Sequence, residues 1–193
     1  MVEMVEPTFL GITKSEWELV NSFANWIAAI GTVAAVWVSL LLANRIARPK
    51  ADVSVGHRLV LQPGSKGPAP EFIVFRVVNT GERPIRITQI GWRVGLFKKR
   101  YAVQMHDAAQ SNKLPVDLEH GQEAQWFVPL DARQEPWLVY FARGMLTPNP
   151  RISLLTLRGQ VFTSLGTVFE VWPEPTLRKK LRDASRGLTI RVD

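Results

Sequence analysis

The strongest constraint on this chain is a gap in its charge. Between Glu18 and Arg45 lie 26 residues without one Asp, Glu, Lys or Arg, whereas elsewhere charges recur every few positions. Within it, Phe23 to Ala43 reads FANWIAAIGTVAAVWVSLLLA. At about 1.5 Å of rise per residue this stretch makes a helix of roughly 31 Å, the thickness of a bilayer's hydrocarbon core. Its Phe, Ile, Val and Leu side chains contribute about −3 to −5 kcal/mol to insertion, which outweighs the penalties of Asn25, Thr32 and Ser39. A cleaved signal peptide fits less well, because the preceding residues are acidic and ANRIARPK offers no small-x-small site. A buried soluble helix fits less well too, since the run is apolar all round.

Orientation follows from the flanks. Arg45, Arg48 and Lys50 crowd one border and only Lys14 precedes the other, so the positive-inside rule places the C-terminal side in the cytoplasm. The chain is expected in the cell (inner) membrane as a single-pass protein, N-terminus outside. Trp17 and Trp26 suit the outer interface as anchors. Ala24, Ala28, Gly31, Ala35 and Ser39 recur every three or four residues, a small-residue stripe that lets two such helices pack closely and suggests a homo-oligomer.

The expected organisation is an acidic extracytoplasmic tail (1–20), a transmembrane helix (21–44), a basic juxtamembrane linker (45–50), a β-rich domain (51–173) and a basic C-terminal helix and tail (174–193). The domain's strands come from period-two alternation. Val53, Val55, Leu59 and Leu61 share one face of a first strand, and 62–70 (QPGSKGPAP) is a loop. Glu71 to Asn79 is apolar on both faces, as in a central strand. In Pro84 to Gly95 the apolar parity flips between Ile85/Ile87 and Ile90/Trp92/Val94, which places a bulge near Gln89. A strand follows at roughly Glu123 to Val128, and 131–146 is open between helix and strand. Ile152 to Thr163 and Thr167 to Trp172 flank a hairpin at Ser164-Leu165-Gly166. TLRKKLRDASR after Pro173 and Pro175 reads as a short basic helix, and LTIRVD as a frayed end or edge strand. About seven strands without a strand–helix rhythm fit a mainly β fold, an antiparallel two-sheet sandwich with Trp92 as a core anchor.

The anchor AIGTVAAVWVSLLLANRIARPKADVSV, followed by FRVVNTGERPIRITQIGWRVG, LPVDLEHGQ and LRGQVFTSLGTVFEV, resembles a group of uncharacterised bacterial and phage single-pass membrane proteins. The resemblance implies an immunoglobulin-like β-sandwich and a bacterial or phage origin. It implies no catalytic residues.

Chemistry is sparse. With no cysteine, disulfides, thiolate metal sites and cysteine nucleophiles are excluded. No phosphate-binding glycine loop and no nucleophile elbow occur. His57, His106 and His120 are scattered, and Asp117, Glu119 and Glu123 read as a solvated turn. No cofactor, no metal and no enzyme are expected. The net charge of +7 sits entirely beyond the acidic start. Arg45, Arg48, Lys50, Lys98, Lys99, Arg100, Arg178, Lys179, Lys180 and Arg182 are candidates to contact anionic lipid headgroups or a partner. Nucleic acid is the less favoured partner, because no aromatic residues interleave with these charges. The expected function is a membrane-anchored, non-enzymatic adaptor that presents its sandwich to a protein partner. The alternative is phage-type membrane interference, by superinfection exclusion or a defence effector, acting through helix association.

Overall fold

The computed structural model describes residues 14–61, 67–131 and 135–189. The chain divides into two units, Met1–Ala47 and Arg48–Asp193. In the first, helix α1 runs from Lys14 to Ala47. Pro49, which lacks the N–H that another helical turn needs, lies just beyond it.

Among the described residues the second unit is built on eight antiparallel strands. A three-stranded sheet holds β1 (Ala51–Leu59), β2 (Glu71–Asn79) and β6 (Glu123–Pro129) in the order β1-β2-β6. A five-stranded sheet holds β3 (Ile85–Val94), β4 (Arg100–Val103), β7 (Arg158–Thr163) and β8 (Val168–Val171) in the order β4-β3-β7-β8, with β5 (Val116–Leu118) also pairing β3. The inward residues of both sheets form one core. Val55, Ile73, Phe75 and Trp126 come from the first sheet, and Ile87, Ile90, Trp92 and Val161 from the second. Alternation explains this on β6, where Ala124, Trp126 and Val128 are buried and the residues between them are not. On β2 both faces are covered, and on its outer face Phe72 meets Phe127 edge-on at 5.8 Å.

The parity flip in the third strand has the expected cause: its register with β7 shifts between Ile87 and Gln89, so Ile85 and Ile87 join Ile90, Trp92 and Val94 on the core side. The β7–β8 hairpin turns at Gly166, with φ of +77°, a value that an L side chain rarely adopts. Trp92 is the expected anchor. Its ring meets Phe75 at 5.0 Å and Phe141 at 5.1 Å, and its indole N–H donates to Gln104 Oε1 at 2.8 Å.

Two readings need correction. The segment from Ile152 is not all strand: α3 (Pro150–Thr156) precedes β7. Pro150 opens this helix, where its missing N–H costs nothing. Leu59 and Leu61 are 56% and 80% exposed, because β1 runs past the core at its last residue, Leu59, and Leu61 lies beyond the strand. The ambiguous segment is helical where it is described: α2 (Trp137–Phe141) continues into one wide turn at Ala142–Leu146. Trp137 and Phe141, four apart, stack at 4.5 Å and close one end of the sandwich over Trp92. The final helix α4 (Pro175–Thr189) packs beside them through Leu177 and Leu181.

Register identifies the other end of the sandwich. Ala51 lies opposite Asn79, Val78 opposite Glu123 and Ile85 opposite Leu118, so the chain enters where the turns after β2 and β5 meet. Asn79 is fully buried there. Its amide nitrogen donates to the Arg83 and Leu118 carbonyls at 2.8 and 2.9 Å, and its Oδ1 accepts from the Gly81 N–H at 2.9 Å. The Lys50 carbonyl accepts from the Thr80 and Gly81 N–H groups, both at 3.1 Å. Replacing Asn79 by Ala removes the donor to the Arg83 and Leu118 carbonyls and leaves the Gly81 N–H with the Lys50 carbonyl alone. Asn79→Ala is expected to lower stability by about 1–3 kcal/mol, read from the urea midpoint of the full chain in neutral detergent by near-ultraviolet circular dichroism.

Candidate functional site

Two surfaces lack an internal explanation, and the first is α1. From Trp17 to Ala43 it is 27 residues with a mean hydropathy of 2.1, long and apolar enough to span a bilayer. Phe23, Trp26, Ile30, Val33 and Trp37 are each 65–69% exposed. Trp26, Ile30, Val33 and Trp37 make a bulky stripe. Ala24, Ala28, Gly31, Ala35 and Ser39 lie on a different face, since Ala28 and Ile30 are roughly 200° apart around the helix. A methyl group added at Gly31 would meet nothing within 4 Å. Two hydroxyls of this segment are paired within the helix: Thr32 Oγ1 donates to the Ala28 carbonyl and Ser39 Oγ to the Ala35 carbonyl, both at 2.8 Å, which removes most of the cost of taking those two groups out of water. Trp26 is exposed and Trp17 half-buried. The Arg45 side chain lies outside the described residues, while Arg48 and Lys50 are exposed.

The second surface is the end of the sandwich opposite the chain entry. The β3–β4 turn projects Leu96, 67% exposed, and Phe97, 95% exposed, directly before the exposed Lys98 and Lys99. Thr156 of α3 accepts from the Gly95 N–H at 2.9 Å, which brings the exposed Ile152 and Leu155 of that helix to the same end. The apolar half of this tip was missed in the sequence. The signal was available, because GLFKK places two large apolar side chains in a turn, where alternation demands none.

The other basic candidates separate by role. Arg100 donates to the Met145 carbonyl at 2.8 Å and so caps the wide helical turn. Lys180 pairs with Glu71, which also meets His57 Nε2 at 2.8 Å. Arg178 lies over the Trp172 ring. Lys179 and Arg182 are exposed. Leu177 and Leu181 are fully buried against the sandwich, so the final helix has no apolar face of these residues to lay on a leaflet. Only its charges remain available.

Carboxylates tie α4 to the first sheet. Arg58 grips Glu174 through two hydrogen bonds of 2.6 and 2.5 Å, and the Glu174 N–H donates to the Val55 carbonyl. Lys180 and then His57 hold Glu71 below the ordinary value of 4.5. Arg58 does the same for Glu174, and Arg76 with Gln125 for Glu123. Among the described residues no group of three or more His, Asp or Glu side chains could hold a metal ion. His120 Nδ1 lies 3.0 Å from the Gly81 carbonyl, and Asp117 faces Arg86 at 3.7 Å.

No family model matches the chain, and no curated protein matches it. Among solved structures, the chain is similar to a candidate ApaA protein from Bordetella pertussis. The two are 18% identical, the match covers 65% of this chain and 89% of that one, and the TM-score is 0.29. A structural-genomics target, SoR45, is 12% identical over 64% of this chain and 82% of its own, with a TM-score of 0.26. A candidate late embryogenesis abundant protein is 14% identical over 82% and 90%, also with a TM-score of 0.26. Likenesses this distant assign neither fold nor function.

The ion pairs set a pH dependence. Glu71, Glu123 and Glu174 are depressed in the folded state, so the unfolded chain takes up more protons as acidity rises. Their contribution is present above the ordinary carboxylate range and is lost as pH falls from about 4.5 through the depressed folded values. The unfolding midpoint of the full chain is expected to drop over that window. In Glu174→Gln the acid limb is expected to be shallower, because one of the three titrations is gone.

Proposed function

We propose that this chain is a single-pass membrane protein that works as a non-enzymatic binding module. In this reading α1 crosses the inner membrane with residues 1–20 outside, and the sandwich lies in the cytoplasm. The exposed apolar length of α1 and the cationic border Arg45, Arg48 and Lys50 support it. The sandwich is of immunoglobulin type in this reading. The order β1-β2-β6 against β4-β3-β7-β8 supports that, with a buried Trp on the third strand and hydrophobic packing where such domains often carry a disulfide.

The observation that carries the binding role is Phe97, 95% exposed beside Leu96, Lys98 and Lys99 at the end opposite the chain entry. An aromatic anchor flanked by cations fits a partner segment that offers an apolar pocket rimmed by acidic side chains. Loops on a rigid scaffold are where such recognition concentrates.

Two experiments test the reading. Because the chain has no native cysteine, Ser15→Cys and Arg186→Cys can be labelled singly in intact cells by an impermeant maleimide. Labelling at position 15 and protection at 186 is the expected result, and the reverse would invert the topology. For the partner, a photoreactive residue is placed at Phe97 or, as a control at the entry end, at Leu165. A discrete protein adduct is expected from position 97 and none from 165. Adducts to lipid alone, or to other copies of the chain alone, would remove the adaptor role.

A further inference from the structure

On the outer face of the five-stranded sheet, three guanidinium groups from three elements converge. Arg93 of β3 and Arg158 of β7 are direct cross-strand partners. Like charges in that position repel, so the pairing has a cost unless something offsets it. Arg178 enters from α4. The ring of Trp172, at the end of β8, takes the Arg158 guanidinium carbon at 2.9 Å from its centroid and that of Arg178 at 5.4 Å.

Among the described residues one carboxylate, that of Glu170, pairs with this group. Glu170 accepts from Arg93 Nη2 at 2.7 Å through one oxygen and from Gln160 Nε2 at 2.8 Å through the other. Glu174, the next acid along the chain, is taken up by Arg58. Arg158 donates to the Leu157 carbonyl at 3.2 Å. Three positive groups and one negative group leave an excess of two positive charges in a partly desolvated place. Arg93 is only 17% exposed, and Gln160 is buried. Burial first, and then the neighbouring Arg93, pull the Arg158 pKa down, and Arg178 adds to the same repulsion. The Nε–H groups of Arg93 and Arg178 are buried without a hydrogen-bond partner, as is Gln160 Oε1.

Unmatched buried donors beside surplus positive charge are the converse of a buried anion without a partner. We propose that Arg93, Arg158 and Arg178 form an oxyanion site that takes a phosphate group, with Trp172 as its wall. A phosphate carries about −1.5 to −2 charges at neutral pH, which matches the surplus. Its three oxygens suit planar guanidinium forks, which present paired donors that lysine cannot. The phosphate is that of a soluble anion or of a lipid headgroup. The site uses none of the residues of the Phe97 tip and does not depend on the adaptor reading.

The test uses the full chain in nanodiscs of zwitterionic lipid. Inorganic phosphate is titrated against chloride at matched ionic strength, read by thermal unfolding and by broadening of the phosphorus resonance. A saturable rise in Tm with phosphate but not with chloride is expected. Arg158→Gln and Arg178→Gln are each expected to weaken the response by about tenfold or more, and Lys98→Gln with Lys99→Gln to leave it unchanged. Arg158→Lys keeps the charge without the fork and is expected to fall between. Nanodiscs containing phosphatidic acid separate the sources. A higher starting Tm with a blunted response to inorganic phosphate assigns the site to a headgroup, and an undiminished response assigns it to a soluble phosphate. Equal responses to phosphate and chloride in the unmodified protein would overturn the proposal, whether or not any variant folds. So would a folded Arg158→Gln chain that binds phosphate as tightly as the original.

Discussion

The exposed apolar surface of α1, which is long and apolar enough to span a bilayer, is the feature that most constrains this molecule. A soluble domain hides such side chains in its own core, at about 25 cal/mol gained for each Å² removed from water. Here the helix holds its apolar side chains outward, with Ile27, Ile30, Val33 and Leu42 each more than half exposed. Its backbone groups bond within the helix, and Thr32 and Ser39 turn their hydroxyls back onto carbonyls one turn earlier. A helix whose backbone is satisfied internally, and whose apolar side chains are exposed along a length of 27 residues, is long and apolar enough to cross a bilayer.

The unit from Arg48 onward solves the opposite problem, and its two ends do so differently. At the entry end a single buried amide, Asn79, satisfies three backbone groups from two turns. At the far end aromatic packing does the work: Trp137 and Phe141 close over Trp92 while α4 buries Leu177 and Leu181. The polar end is built from tight turns that leave little to display. The aromatic end needs helices and a long turn to cover the core, and those insertions are what hold Leu96 and Phe97 clear of it. The exposed tip is thus a by-product of where the lid sits, which is the kind of place where recognition residues are carried by a stable frame.

What could be read from the sequence was whatever depends on neighbours along the chain. The uncharged run, the parity flip at Gln89, the glycine of the 164–166 turn and the two-faced apolar strand 71–79 are all local signals, and each has a structural counterpart. The helix at 150–156 defeated that method because RISLLTLRG alternates apolar and polar residues almost as a strand does. Only the opening Pro150 and the packing of Leu154 on the core decide it. Leu59 and Leu61 failed for a related reason: alternation says which side chains share a face, not where the opposing sheet ends. Asn79 reads in the sequence only as the last residue of the strand 71–79, and its burial follows from two turns meeting in space. The convergence of Arg93, Arg158 and Arg178 was beyond reach altogether, because pairing register and a returning helix create it from positions far apart.

That convergence also bears on what the fold is for. Two arginines directly opposed across strands, with a third brought in by α4, are a poor choice for stability alone. Apolar or oppositely charged residues at Arg158 would pair better with Arg93, and replacing buried charges by well-packed apolar groups is often neutral or favourable. Trp172 supplies a π face that accepts cations, and Glu170 neutralises one charge, so the arrangement is tolerable without being balanced. On the opposite face of this sheet Ile87, Ile90 and Val161 build an ordinary core. The strands therefore carry two unlike requirements on alternate residues: one face is organised to exclude water, and the other to hold positive charge in a geometry that an incoming oxyanion would relax.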